Sequence, residues 1–384
     1  MKPRYFLLLL SSLLIVALII ANSFFTINNL RPSRRTDFYV GIDVAHDDVD
    51  KIKVLIDEVS HYTNLFIIGS TGITSNETKL SDLCQYIYDK GLSFILFMDD
   101  HDPPIQPSRQ WIEDAKSEWG NSFLGLYVFD EVGGKNLDAW AYRAVISAEN
   151  NTEASSQFVA NLGYMLQFTT SNATEIEGVQ SFMSDYGLYW FDYKAGYDVV
   201  FAEFALNYSK RLNIAFCRGA ATVQNRDWGV MITWQYTEPP YISSGEHLYE
   251  NLVLAYESGA KYILLFDSNE GYTGGTLKQE HFDALKRFWQ YKEDNPDRNI
   301  QSRDRVAFVL PKDYGYGFRG PNDKIWGLWE ADAFSIELCT TLNYWMNHYQ
   351  DKLDIIYDDG LALDTTYRKY IYWNNSAHIP QNAT

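Results

Sequence analysis

The chain has 384 residues, with 50 Asp and Glu against 32 Lys and Arg for a net charge of −18, and it carries 11 Trp, 28 Tyr and 22 Phe. At 46% hydrophobic and 21% charged residues it can bury a large core, which excludes disordered and collagen-like architectures. The acid excess excludes a nucleic-acid partner, because phosphate contacts need clustered cations and no basic run is longer than a pair such as Arg34-Arg35.

Residues Phe6 to Phe25 (FLLLLSSLLIVALIIANSFF) carry no charge, and about 20 residues at helical rise match a hydrocarbon core of ~30 Å. This predicts a signal peptide or a transmembrane anchor over residues 1–26, the length favouring an uncleaved anchor, followed by a polar linker over 27–37. Lys2 and Arg4 precede the span and Arg31, Arg34 and Arg35 follow it, so flanking charge does not orient it. Sequons at Asn76, Asn150, Asn172, Asn207, Asn374 and Asn382 favour a glycoprotein body outside the cell on a single-pass cell-membrane anchor. All charges in the first 35 residues are basic, so the acidity belongs to the body. Cys84, Cys217 and Cys339 are widely spaced and odd in number, which predicts buried thiols rather than a disulfide framework.

From residue 38 onward, short apolar β-rich runs alternate with amphipathic helical patterns. Strands are predicted over Tyr39–Val44, Leu65–Gly69, Ser93–Met98, Phe123–Phe129, Leu188–Phe191, Val199–Phe204, Val230–Trp234 and Tyr262–Phe266. Helical periodicity runs over Asp48–His61, Lys79–Lys90, Pro107–Trp119, Leu137–Glu149, Leu206–Ala220 and Glu246–Ser258. The alternation predicts an α/β fold, a (β/α)8 TIM barrel over residues 38–292, against a doubly wound sheet as the competing architecture. The long segment between the fourth and fifth strands, and the short one between the fifth and sixth, leave the fifth helix vestigial. Past the polar stretch Lys292–Arg305, a small C-terminal α/β domain is predicted over 305–384.

A barrel gathers its site at the C-terminal ends of its strands, and those ends are acidic here. They carry Asp43, Asp99-Asp100, Asp130-Glu131, Asp192, Glu203 and Asp267, while the seventh ends in Trp234 with Glu238 shortly beyond. Single strand-end acids can be helix N-caps, which is the reading for Asp47, Asp48 and Asp192. Converging carboxylates among aromatic faces suit glycosidic cleavage: one carboxylic acid protonates the leaving oxygen and a second carboxylate acts on the other face. Trp190, Trp234, Tyr236, Tyr241, Tyr272 and Trp326 are the candidate sugar platforms. The histidines form no zinc-binding pattern, and nucleophile-elbow, Walker A and dinucleotide motifs are absent, so no cofactor or metal is assigned.

The segment GLYVFDEVGG (Gly125–Gly134) resembles the strand-4 motif of TIM-barrel glycoside hydrolases, with Asp130-Glu131 where an Asn-Glu pair often stands. VMITWQYTEPPY (Val230–Tyr241) is similar to their aromatic strand-7 loop, and the stretch from Val306 resembles a small domain appended to some such barrels. The resemblance implies Glu131 as general acid/base, with Glu203 or Glu238 as its partner. Asp43, Asp99, Asp130 and Asp267, with Trp190, Trp234, Tyr236 and Tyr272, would then bind a polysaccharide or glycan. A catalytically silent surface barrel that binds glycan or serves a structural role is the alternative.

Overall fold

The computed structural model of the chain describes residues 38–98, 107–296, 304–360 and 366–380. The expected anchor over residues 1–26, the linker, Asp99, Asp100 and Asn382 lie outside the described residues. Among the described residues, no helix is long and apolar enough to cross a membrane.

The apolar runs fold into a closed barrel of eight parallel strands in sequential order. It is built from β1 (Tyr39–Val44), α1 (Val49–Val59), β2 (Leu65–Ile68), α2 (Glu77–Asp89), β3 (Ser93–Met98), α3 (Arg109–Trp119), β4 (Phe123–Asp130), α4 (Val132–Leu137), α5 (Asn151–Thr169) and β5 (Gln180–Asp185). It continues with α6 (Tyr189–Lys194), β6 (Val199–Phe204), α7 (Lys210–Gln224), β7 (Asp227–Ile232), α8 (Gly245–Glu257), β8 (Tyr262–Phe266) and α9 (Gln279–Asp294). β1 pairs in parallel with both β2 and β8, which closes the cylinder. Inside, aromatic rings do much of the filling: Tyr39 stacks on Tyr262 at 5.0 Å and Phe182 on Phe201 at 5.8 Å. Outside, the helices start on side chains that satisfy an otherwise orphaned backbone N–H. Asp48, Asn76, Ser108, Asn150, Ser209 and Ser244 each accept from the residue three positions on.

Two expected elements are corrected. Leu188–Phe191 is not the fifth strand; that strand is β5, and Tyr189–Phe191 lie in the short helix α6. A four-residue apolar run is equally compatible with strand and helix. Here it is apolar all round because the helix is enclosed, with Phe191 packed on Trp326 at 4.7 Å and Trp190 on Tyr357 at 5.5 Å. The helix expected over Leu137–Glu149 is also absent. The chain turns irregularly there, and its Ser/Thr/Asn-rich continuation forms α5 instead. The single β4–β5 connection therefore holds two helices and an exposed loop.

Beyond residue 304, β9 (Val306–Leu310), α10 (Ala333–Tyr349), β10 (Leu353–Tyr357), β11 (Lys369–Tyr372) and β12 (Ala377–His378) form a sheet in the order β10-β9-β11-β12. The first three strands pair in parallel and β12 runs antiparallel. This sheet packs on α7, so closely that a Cβ at Gly219 would lie 2.3 Å from the Ile355 carbonyl oxygen. Residues 38–384 consequently form one compact unit. The cysteines all have buried free thiols, on α2, α7 and α10.

A buried ionic knot fastens the contact. Arg218 of α7 donates through Nε to Asp354 Oδ1 at 2.6 Å and through Nη2 to the carbonyls of Asp351 and Leu353, while Arg305 donates to Asp354 Oδ2 at 2.8 Å. Removing one partner of a buried pair leaves a charge without compensation. Asp354→Asn, which leaves both guanidinium groups without their counter-charge, is expected to cost about 3–5 kcal/mol in chemical denaturation. The exposed Arg211–Asp351 pair, 2.8 Å long, is the control: Arg211→Ala is expected to cost about 1 kcal/mol or less.

Candidate active site

The site begins with a backbone irregularity at the end of β4. Pairing with β5 shifts register between Tyr127 and Asp130, and both Phe129 (φ 63°) and Glu131 (φ 59°) adopt left-handed backbone. Each costs roughly 1–3 kcal/mol in a residue other than glycine, so the surroundings must hold it. A bulge of this kind re-aims side chains and ends pairing. The Glu131 side chain is thereby turned into the barrel mouth at the start of α4.

The holding group is Asp185, at the end of β5. Its buried carboxylate accepts from the backbone N–H groups of Gly133 (2.5 Å), Gly134 (2.8 Å), Tyr186 (2.7 Å) and Gly187 (3.0 Å). The two glycines of the Glu-Val-Gly-Gly run are required by that approach. A Cβ on Gly133 would lie 2.4 Å from the Gly187 carbonyl oxygen, and one on Gly134 would lie 2.2 Å from the Tyr186 ring. Glu131 N also donates to Ser184 O at 2.9 Å.

Three carboxylates then converge. Oxygens of Asp130, Glu131 and Glu203 lie within 4.8 Å of one another. Ser184 joins them: its hydroxyl contacts Asp130 Oδ1 and lies 2.6 Å from Glu203 Oε1. Tyr127 OH lies 2.7 Å from Asp130 Oδ1 and 2.8 Å from Ser184 Oγ. Two hydroxyl hydrogens serve at most two of these four oxygen–oxygen contacts, so the network calls for protons on the carboxyl groups as well. Lys135, one helical turn past Glu131, places Nζ 3.4 Å from Glu131 Oε2 and donates to the Asp130 carbonyl at 2.9 Å.

The electrostatics agree with that proton count. Burial, then the neighbouring Glu131 and Asp130 charges, raise the Glu203 carboxyl well above the ordinary range. Burial and then Asp130 push Glu131 up to about 7, with Lys135 opposing the rise. Asp43, at the end of β1, is fully enclosed with Oδ1 unpartnered, and burial followed by the Asp130 charge raises it well above the usual carboxylate value.

These groups line an open cavity of about 1120 Å³, with Asp43, Asp130, Glu131, Glu203, Trp234 and Tyr272 on its surface. Trp234 is fixed by Nε1 donating to the Ser268 carbonyl at 2.8 Å and packs on Tyr241 at 5.0 Å. Other expected site residues are placed elsewhere. Glu238 and Tyr236 are exposed on the loop after β7 and are not part of the cavity lining. Asp267 is buried and turned to its own loop, accepting from Thr276 N and Leu277 N. Trp190 and Trp326 are enclosed against the C-terminal sheet and its loops rather than facing the mouth. Asp192, read as an N-cap, is instead a buried residue within α6.

Ser184 and Asp185 escaped sequence reading because the fifth strand was placed eight residues late. Lys135 had a usable signal, its position four residues after Glu131 on a helix. Asp130, Glu131 and Glu203 offer the oxygen-rich donor set a hard cation prefers, although the Lys135 ammonium already supplies positive charge on one flank.

The chain matches no family model and no curated protein. Its solved structural neighbours include TIM-barrel glycoside hydrolases. Alpha-L-fucosidase isoenzyme 2 from Paenibacillus thiaminolyticus is 9% identical, with a TM-score of 0.50 over 86% of this chain and 59% of that one. The chain thus spans 59% of the length of that protein. The endo-beta-1,4-mannanase from Thermotoga petrophila is 8% identical, with a TM-score of 0.44 over 71% of this chain and 82% of its own. The beta-glucosidase from Thermotoga maritima is 9% identical, with a TM-score of 0.40 over 65% and 87%. At these identities the likeness is one of fold.

The Glu131 environment can be measured directly by carbon-13 NMR of its side-chain carboxyl. Its midpoint is expected at about 7. Asp130→Asn should lower it by removing a like charge, and Lys135→Met should raise it by removing the cation. Because the folded value lies above the ordinary one, this group stabilises the fold fully at acid pH and loses that contribution as pH rises through about 7. The loss should be absent in Glu131→Gln.

Proposed function

We propose that the chain is a membrane-anchored, extracytoplasmic enzyme that hydrolyses glycosidic bonds with Glu131 and Glu203. The observation that carries this reading is the pair itself: two carboxyl groups of unequal proton affinity, with oxygens within 4.8 Å, at the floor of an open cavity. Oxygens no more than 4.8 Å apart are too close for the ~6.5–9.5 Å that leaves room for a water, which favours double displacement.

The unequal affinities also order the roles, in reverse of the sequence expectation. Glu203 is the more deeply buried and keeps its proton, whereas Glu131 has Lys135 beside it and ionises first. A Glu131 oxygen attacks the anomeric carbon as Glu203 gives its proton to the departing glycosidic oxygen, breaking the carbon–oxygen bond. Glu203, now a carboxylate, takes a proton from water, whose oxygen displaces Glu131 and frees the sugar with its configuration retained. Asp130, Ser184 and Tyr127 position the pair and keep the proton in the network.

Location outside the cell is supported by the sequons: Asn76, Asn150, Asn172, Asn207 and Asn374 are all exposed. If the body crosses a glycosylating membrane, peptide N-glycosidase should lower the mass of the protein from its native host.

A glycan panel should identify a hydrolysed substrate, with the first product formed in the anomeric configuration of the substrate when followed by proton NMR. Glu131→Gln and Glu203→Gln should each reduce kcat/KM by roughly 10²-fold or more, while Glu238→Gln leaves it unchanged. Activity should rise with pH through about 7 as Glu131 ionises. Full activity in both glutamine variants would overturn the assignment.

A further inference from the structure

Among the described residues, two cations, Lys135 and Arg143, line the cavity, and they are used differently. Lys135 is committed to Glu131 and the Asp130 carbonyl. Arg143 forms no ion pair among the described residues. Its Nε donates to Val145 O at 3.0 Å, and its Nη1 donates to Ala139 O at 3.1 Å and Trp140 O at 3.0 Å. Three of its five N–H donors are thus spent on neutral carbonyls. Those bonds fix the guanidinium plane, leave the Nη2 pair unspent and do nothing to cancel the charge.

The loop that carries Arg143 is itself anchored. Val145 N donates to Asn136 Oδ1 at 2.8 Å, and Asn161 of α5 donates to the Ala144 carbonyl at 2.8 Å. On the same β4–β5 connection, and also among the residues that line the cavity, stand large aromatic side chains in water. Tyr142 is 100% exposed, Tyr164 67% and Trp140 56%. Such flat faces suit the C–H faces of pyranose rings, and a fixed cation among them suits a negative substituent. A protein of net charge −18 would otherwise repel an acidic polymer, so an unneutralised arginine at the cavity wall has a recognisable use.

The geometry points to Arg143 as a specificity residue for acidic glycans: a hexuronate unit lies along the Trp140–Tyr142–Tyr164 wall with its carboxylate on Arg143 Nη2. This names the substrate class of the proposed hydrolase and rests on that reading for the chemistry, though not for the binding. The wall lies on the β4–β5 connection that also supplies Glu131, so one segment would set both cleavage and recognition.

The test is calorimetric binding to the full chain carrying Glu203→Gln, which separates recognition from turnover. The probes are oligogalacturonate and oligoglucuronate, the same oligosaccharides with each carboxylate reduced to a primary alcohol, and sulfated neutral oligosaccharides of equal length. A charge-assisted hydrogen bond of this kind corresponds to roughly 10- to 100-fold in affinity. One uronate probe should therefore bind at least about 10-fold tighter than its reduced form, with the advantage falling as salt rises. Arg143→Gln should abolish the advantage in a protein that remains folded by circular dichroism, and Arg143→Lys should keep part of it. Equal binding of acidic and reduced probes, or an advantage that survives Arg143→Gln, overturns the proposal. Sulfated probes binding as tightly as uronates overturn the carboxylate assignment. Should Arg143→Gln fail to fold, the reduced-probe and salt comparisons on the intact arginine still decide. Failure of the hydrolase reading shows separately, as glycan hydrolysis that both Glu131→Gln and Glu203→Gln leave intact.

Discussion

The carboxylate of Asp185 holds the site together. Four backbone N–H groups converge on it, two from the start of α4 and two from the turn after β5, so it ties the strand-4 motif to the strand beside it. The left-handed backbone at Phe129 and Glu131 persists because this clamp and the β4–β5 register leave the chain no relaxed alternative. Glu131 faces the mouth as a result, and every distance in the carboxylate cluster follows from that placement.

The clamp has a chemical corollary at the barrel floor. Bringing Asp130, Glu131 and Glu203 within 4.8 Å is tolerable only if they do not all carry charge. Tyr127 and Ser184 supply too few hydrogens to satisfy the contacts, and burial, then the neighbouring charges, favour the protonated form of Glu203. Lys135 then makes Glu131 the easier group to ionise. Two glutamates that look alike in sequence become unequal through depth and one ammonium neighbour.

Much of the barrel was legible because parallel strands covered on both faces leave near-continuous apolar runs, and seven of the eight were found close to their true places. The fifth failed for a definable reason. Gln180–Asp185 ends in Ser184-Asp185, whose polar side chains serve the site and break the apolar pattern, while the enclosed helix α6 imitates a strand. Asp43, Glu131, Glu203, Trp234 and Tyr272 could be picked as strand-end or mouth residues and do line the cavity. Asp267, Glu238, Tyr236 and Trp190 could not be sorted from them, because residue type alone does not tell a loop anchor, an exposed turn or a buried ring from a site residue. Arg143 gave no signal at all, since its distinction is the absence of an acidic neighbour in space.

The knot of Arg218, Arg305 and Asp354 bears on ancestry as much as on strength. Arg218 comes from the barrel, and Asp354 from the sheet that follows it, and both are buried. A genetic exchange joining this barrel to an unrelated C-terminal segment would strand the Arg218 charge in a dry interface. The polar stretch between the two parts invites such recombination on paper, but the interface selects against it. The barrel and its small sheet are accordingly expected to travel through evolution as a single heritable unit.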